Sequence, residues 1–117
     1  MNKTGYSKES NKKVRDYILS YYGGNAANEN EAILSFYNQV LYEADNRFSA
    51  YETINRMMNM SLVDYYENEY NFLVSLGYPK AHKNGKPFTD EEIHSKWTSV
   101  LTREGLKLFE KGQKLVS

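Results

Sequence analysis

The side chains able to do chemistry in this chain fall into three groups. His82 and His94 are its two imidazoles, the second preceded by Glu91 and Glu92. A zinc site takes three or four ligands at defined spacing. Two separated histidines in a chain without cysteine do not supply that set, so each reads as exposed or locally bonded. Asp64, Glu67 and Glu69 form the second group. Paired-carboxylate catalysis needs acids that face each other across a cleft. These three share one short helical segment, the usual pattern of a solvated face. The serines come with no GxSxG elbow and no glycine-rich phosphate loop. The sequence thus predicts a protein that is not an enzyme and carries no metal or cofactor.

The third group is basic. On a continuous C-terminal helix, Lys96, Arg103, Lys107 and Lys114 fall on one stripe beside the apolar face, and Lys80, Lys83 and Lys86 extend it. Such a stripe can neutralise phosphates. Glu92 and Glu110 share it, which also fits a salt-bridged solvent face. Net charge is zero but unevenly spread. Residues 1–22 hold five Lys/Arg and two Asp/Glu (+3), residues 23–70 two and eight (−6), and residues 71–117 eight and five (+3). A chain of this kind can pair its own halves or offer a partner two faces of opposite sign.

The elements that position these residues are helical throughout, because every long segment has a 3.6-residue period. The expected fold is all-α, a single domain of five or six short helices over 11–117 behind a flexible arm, 1–10. Helix 1 starts near Ser10 and buries Val14, Tyr17, Ile18 and Tyr21. Helix 2, about Glu29 to Phe48, carries the stripe Ile33, Phe36, Val40, Ala44 and Phe48, widened by Leu41. The stretch Ser49 to Pro79 reads as the centre of the core. Ser49/Glu52 and Ser61/Asp64 have capping-box spacing. Between them helix 3 buries Tyr51, Ile54 and one or both of Met57 and Met58. Helix 4, about Leu62 to Leu76, buries Val63, Tyr66, Tyr70, Leu73 and Val74, then stops at Gly77 and Pro79. Asn84-Gly85 marks a turn inside a loop. Thr89 to Glu92 is the strongest capping box and opens helix 5, with Ile93, Trp97, Val100 and Leu101 inward. Gly105 and the misplaced Leu106 predict a break near Thr102, where a threonine would cap a sixth helix. Trp97 is expected to be buried against helices 2 and 4.

At 117 residues the chain can bury roughly two-thirds of its unfolded surface. No apolar run approaches the ~20 residues that span a bilayer. The start, MNKTGYSKESNKK, lacks the apolar core of a signal peptide, and the absence of cysteine fits a reducing cytoplasm. Eleven tyrosines, with adjacent pairs at Tyr21–Tyr22 and Tyr65–Tyr66, cannot all face one core, so some are expected at the surface.

Three stretches carry a resemblance: NKKVRDYIL (Asn11 to Leu19), YETINRMMNMSLVDYYENEY (Tyr51 to Tyr70), and DEEIHSKW followed by a helix ending LKLFEKG. In these the chain resembles small helical proteins carried by plasmids, integrative elements and phages of low-GC bacteria. The segment VLTREGLKLFEKG also resembles the last helix of winged-helix regulators, but no strand pair for a wing precedes it. The first resemblance implies a setting in which small cofactorless proteins block host defence by binding, as anti-CRISPR and anti-restriction proteins do. The function expected is therefore inhibition of a host defence nuclease by protein–protein contact. Asp64, Tyr65, Glu67, Asn68 and Asn71 form the expected contact face: carboxylates on a helix stand in for phosphates, with a tyrosine as apolar anchor. The alternatives are a nucleic-acid-binding regulator using Lys96, Arg103, Lys107 and Lys114, or a structural or assembly protein, with a homodimer open in either case.

Overall fold

The computed structural model describes residues 8–60 and 66–117, with side chains for 9–60 and 68–117. Among the described residues the chain forms five helices and no strand, an all-α fold. The organising element is α5 (Asp90–Val116). Its 27 residues rise about 40 Å, most of the 48 Å long axis of the molecule. Against it pack α1 (Lys8–Tyr22), α2 (Glu29–Ala44), α3 (Ala50–Met60) and α4 (Tyr66–Ser75), and α2 also touches α1 and α3. The centre of the core is thus α5 rather than the Ser49–Pro79 stretch. No helix is long and apolar enough to cross a membrane among the described residues.

The expected break near Thr102 does not occur. Thr102 returns its hydroxyl to the Thr98 carbonyl at 2.7 Å and accepts from Asn55 of α3, so it serves the helix interior and caps nothing. Gly105 is not a terminator but an approach site. A Cβ there would lie 2.9 Å from Met58 Cε and 3.0 Å from Ile54 Cγ2. Gly112, two turns on, does the same for α2, where a Cβ would meet Tyr37 Cβ at 2.6 Å. Glycine costs a helix about 1 kcal/mol relative to alanine. Here that cost lets α3 and α2 seat close to the α5 backbone.

Local signals place most ends. Ser49 and Glu52 form the reciprocal capping box, Ser49 Oγ accepting from the Glu52 N–H and the glutamate accepting from the Ser49 N–H. Thr89 and Glu92 do likewise for α5. The Ser61/Asp64 pair and Val63 lie outside the described residues. α4 ends in a Schellman arrangement: the Gly77 N–H bonds the Val74 carbonyl, the Tyr78 N–H the Leu73 carbonyl, and Gly77 has φ +103°. α2 stops at Ala44, short of Phe48, because Asp45 and Asn46 both take positive φ. α1 is already helical at Lys8, before the expected Ser10. The Asn84-Gly85 turn closes a single bridge between Ala81 and Pro87, and the His82 N–H bonds the Lys86 carbonyl.

The core holds Val14, Ile18, Ile33, Phe36, Val40, Ile54, Met57, Met58, Leu73, Val100 and Leu101, with Leu108 and Phe109 from the second half of α5. Trp97 is buried, edge-on to Tyr17 of α1 at 5.4 Å and Phe72 of α4 at 5.2 Å. Its ring partners are thus α1 and α4, where α2 and α4 were expected. Three expected core residues are exposed: Tyr21, Leu41 and Tyr51. The buried set of α2, Ala32, Ile33, Phe36 and Val40, leaves Leu41 about a third of a turn off its centre. In α3 the buried set is Thr53, Ile54, Met57 and Met58, and Tyr51 stands about a quarter turn aside. In α1, Leu19 is buried in place of Tyr21.

Candidate functional site

Of the expected contact face, Asp64 and Tyr65 lie outside the described residues, as does the side chain of Glu67. Asn68 and Asn71 are exposed on α4. Glu69 departs from the solvated-face expectation: it is fully buried. Its Oε2 lies 2.9 Å from His94 Nδ1, and His94 Nε2 lies 2.8 Å from Asn59 Oδ1. One imidazole on α5 thereby ties α4 to α3. His94 pairs across helices and not with the neighbouring Glu91 or Glu92. His82 instead meets Glu92 at 3.0 Å. The two histidines do not converge, and among the described residues no group of three or more His, Asp or Glu is placed to hold a metal ion.

The basic stripe is built on two buried anchors that sequence reasoning missed. Glu104, fully buried, receives Arg15 Nη1 on Oε1 at 2.8 Å, and Lys107 Nζ at 3.2 Å and Arg103 Nε at 3.5 Å on Oε2. Tyr78, also buried, lies under Lys96, whose Nζ is 4.7 Å from the ring centroid. The Tyr78 hydroxyl accepts from Arg103 Nη2 at 3.5 Å. Burial opposes the Arg103 charge, but Tyr78 and Glu104 outweigh it and raise its pKa. A carboxylate out of water costs several kcal/mol unless paired, so the cations are what let Glu104 sit in the core. The stripe brings together Lys96, Arg103 and Lys107 and adds Arg15 from α1. Lys114 is exposed near the end of α5 and contacts neither anchor. A signal for Glu104 was available: it stands three residues after Leu101 and four before Leu108, on the apolar spacing itself. Glu69 stands likewise before Phe72 and Leu73.

The acidic middle of the chain also carries exposed apolar side chains. Leu41 and Tyr42 near the end of α2, Tyr51 in the first turn of α3 and Met60 at its end are all exposed, Tyr42 to 78%. Glu43, Asp45 and Glu52 are exposed in the same stretch, Asp45 paired with Arg47 at 2.8 Å and Glu52 accepting from the Ser49 N–H at 3.0 Å. Between the α2 and α3 residues, Phe48 is half-buried, with the Arg56 guanidinium 4.2 Å from its ring centroid. A separate groove of about 900 Å³ lies between α4, α5 and the intervening loop, walled by Tyr70, Leu73, Val74, Phe88 and Ile93. The chain matches no protein-family model, no curated protein and no solved structure.

Proposed function

We propose that this protein belongs to a mobile genetic element and acts by binding, not catalysis, as an inhibitor of a host defence nuclease. The observation that carries this reading is the coincidence of exposed Leu41, Tyr42 and Tyr51 with exposed Glu43, Asp45 and Glu52 about the α2–α3 junction. Tyrosines with solvated hydroxyls are favoured contact anchors. Carboxylates beside them suit a partner surface rich in Lys and Arg, as a nucleic-acid channel is, and speed encounter. Residues 23–70 hold two Lys/Arg against eight Asp/Glu, and apart from Glu69, buried against His94, these carboxylates extend that field. Asp64, Tyr65, Glu67 and Asn68 belong to the same acidic stretch, Asn71 follows it directly, and all five remain candidate contacts, with Asn68 and Asn71 exposed. The resemblance to small proteins of mobile elements supplies the biological setting. The experiment is to titrate the purified protein into cleavage reactions of CRISPR and restriction nucleases. Inhibition that depends on inhibitor concentration relative to nuclease, and not to DNA, is the expected result. Cleavage unchanged across the nucleases at excess protein would end the reading.

A further inference from the structure

Arg15, Lys96, Arg103 and Lys107 form one connected row. Lys96 rests on the Tyr78 ring, Arg103 reaches the Tyr78 hydroxyl and Oε2 of Glu104, Lys107 shares that oxygen, and Arg15 holds Oε1. Three of these cations stand over a single carboxylate and Lys96 stands on the Tyr78 ring, so the row as a whole holds four cations to one carboxylate, three net positive charges. One arginine would satisfy Glu104, and each further cation in the row adds like-charge repulsion. The side chains of Arg15, Arg103 and Lys107 nonetheless keep 28%, 37% and 51% of their surface in solvent. The charged ends that hold Glu104 thus stay partly open to solvent. From Lys96 to Lys107 the row runs about 16 Å along a straight helix. Glu92 before it and Glu110 after it bound its length.

We infer that this row binds the phosphate backbone of double-stranded nucleic acid. The anchored cations are held in a line before any ligand arrives, so little side-chain freedom is lost on binding. Both anchors are buried, and Tyr78 offers no open ring on which a base could stack. The contact is therefore with phosphates, and carries no sequence preference. This activity is independent of the proposed inhibition: it belongs to another part of the molecule and needs no protein partner.

The test is fluorescence anisotropy of short labelled DNA duplexes of unrelated sequence, titrated with the full chain over a series of salt concentrations. Three net charges predict a slope of log affinity against log salt of about −3. The paired change Lys96→Gln with Lys107→Gln leaves Arg15 and Arg103 on Glu104, so the fold is kept, which circular dichroism checks. It should weaken binding by about tenfold or more at low salt and bring the slope to about −1. The control pair Lys13→Gln with Lys111→Gln removes the same charge from exposed positions off the stripe and should weaken binding far less. No binding at low salt, equal losses in the two paired variants, or strong preference for one sequence would each overturn the inference. Nuclease inhibition unaffected by Lys96→Gln with Lys107→Gln leaves the two activities separable.

Discussion

Arg15 of α1 donates from Nη1 to Oε1 of Glu104 at 2.8 Å, joining helices whose contacting residues are 89 apart in sequence. The carboxylate is fully buried. Loss of Arg15 leaves one of its oxygens in the core without a cation. Arg15→Met should lower the unfolding free energy by about 3 kcal/mol, the low end for a broken buried pair, since Lys107 and Arg103 still hold Oε2. Adding Glu104→Leu should recover most of that loss, because a packed apolar pair needs no desolvation. Urea unfolding of the four proteins in this cycle measures the coupling; a neutral Arg15→Met would contradict the contact.

The two interior glycines of α5 should respond unequally to alanine. Alanine gains about 1 kcal/mol of helix propensity at either site. At Gly105 the added methyl meets Met58 Cε, the far end of a flexible side chain, and Ile54 Cγ2. At Gly112 it meets Tyr37 Cβ, Cγ and Cδ1, all within 2.9 Å, and Tyr37 is itself stacked on Phe109 at 5.0 Å. Gly112→Ala should therefore cost about 1–3 kcal/mol net, and Gly105→Ala distinctly less. Thermal unfolding of both variants reads the difference; a stabilised Gly112→Ala would show that α2 does not approach α5 so closely.

Trp97 carries the contact of α5 with α1 and α4 through Tyr17 and Phe72. Edge-to-face pairs of this kind add about 0.5–1.5 kcal/mol each beyond buried area. Trp97→Ala should cost about 3–5 kcal/mol. As the sole tryptophan, it should emit in the blue-shifted range in the native state and shift red on unfolding. Solvent-like emission from the folded protein would place the ring outside the core.

Acid should loosen the cap regions first. The Glu52 carboxyl is held below its ordinary 4.5 chiefly by the Ser49 backbone N–H. The Glu92 carboxyl is held below 4.5 by the Thr89 backbone N–H and then by His82. A depressed folded-state pKa contributes stability that is present above 4.5 and is lost as pH falls through the lowered value. Stability should thus be flat in this respect near neutrality and decline at acid pH, and Glu52→Gln with Glu92→Gln should flatten the decline. Urea midpoints across an acid series test it; an unchanged decline in the double variant would assign it elsewhere.

The caps and turns were legible in the sequence because they are local. Ser49 with Glu52, Thr89 with Glu92, and Gly77 ahead of Pro79 each act within a few residues, so spacing alone identifies them. The continuity of α5 was not. Gly105 reads as a breaker until α3 is seen against it, and only tertiary approach explains a glycine in mid-helix. The buried carboxylates were hidden for a related reason. Acids are almost never fully buried unless paired, and His94 for Glu69 and Arg15 for Glu104 come from other helices. The basic stripe was legible as a stripe, but Arg15 and Tyr78, which anchor or extend it, come from distant segments. Tyr21, Leu41 and Tyr51 were misplaced because apolar spacing fixes a face only to within about a third of a turn.

The most direct measurement of the binding account compares inhibition by the parent protein with that by Tyr42→Ala/Tyr51→Ala and by Asp64→Lys/Tyr65→Ala/Glu67→Lys. The assay is a nuclease cleavage reaction that the parent protein blocks. Tyr42 and Tyr51 are exposed, so their loss should leave thermal unfolding unchanged. The account predicts that the tyrosine variant loses about tenfold or more in inhibitory potency, as removal of an aromatic anchor does. It predicts that the charge-reversed variant loses potency and alters its salt dependence. Parent-level inhibition by both variants would contradict the claim that the acidic, tyrosine-bearing surface makes the contact.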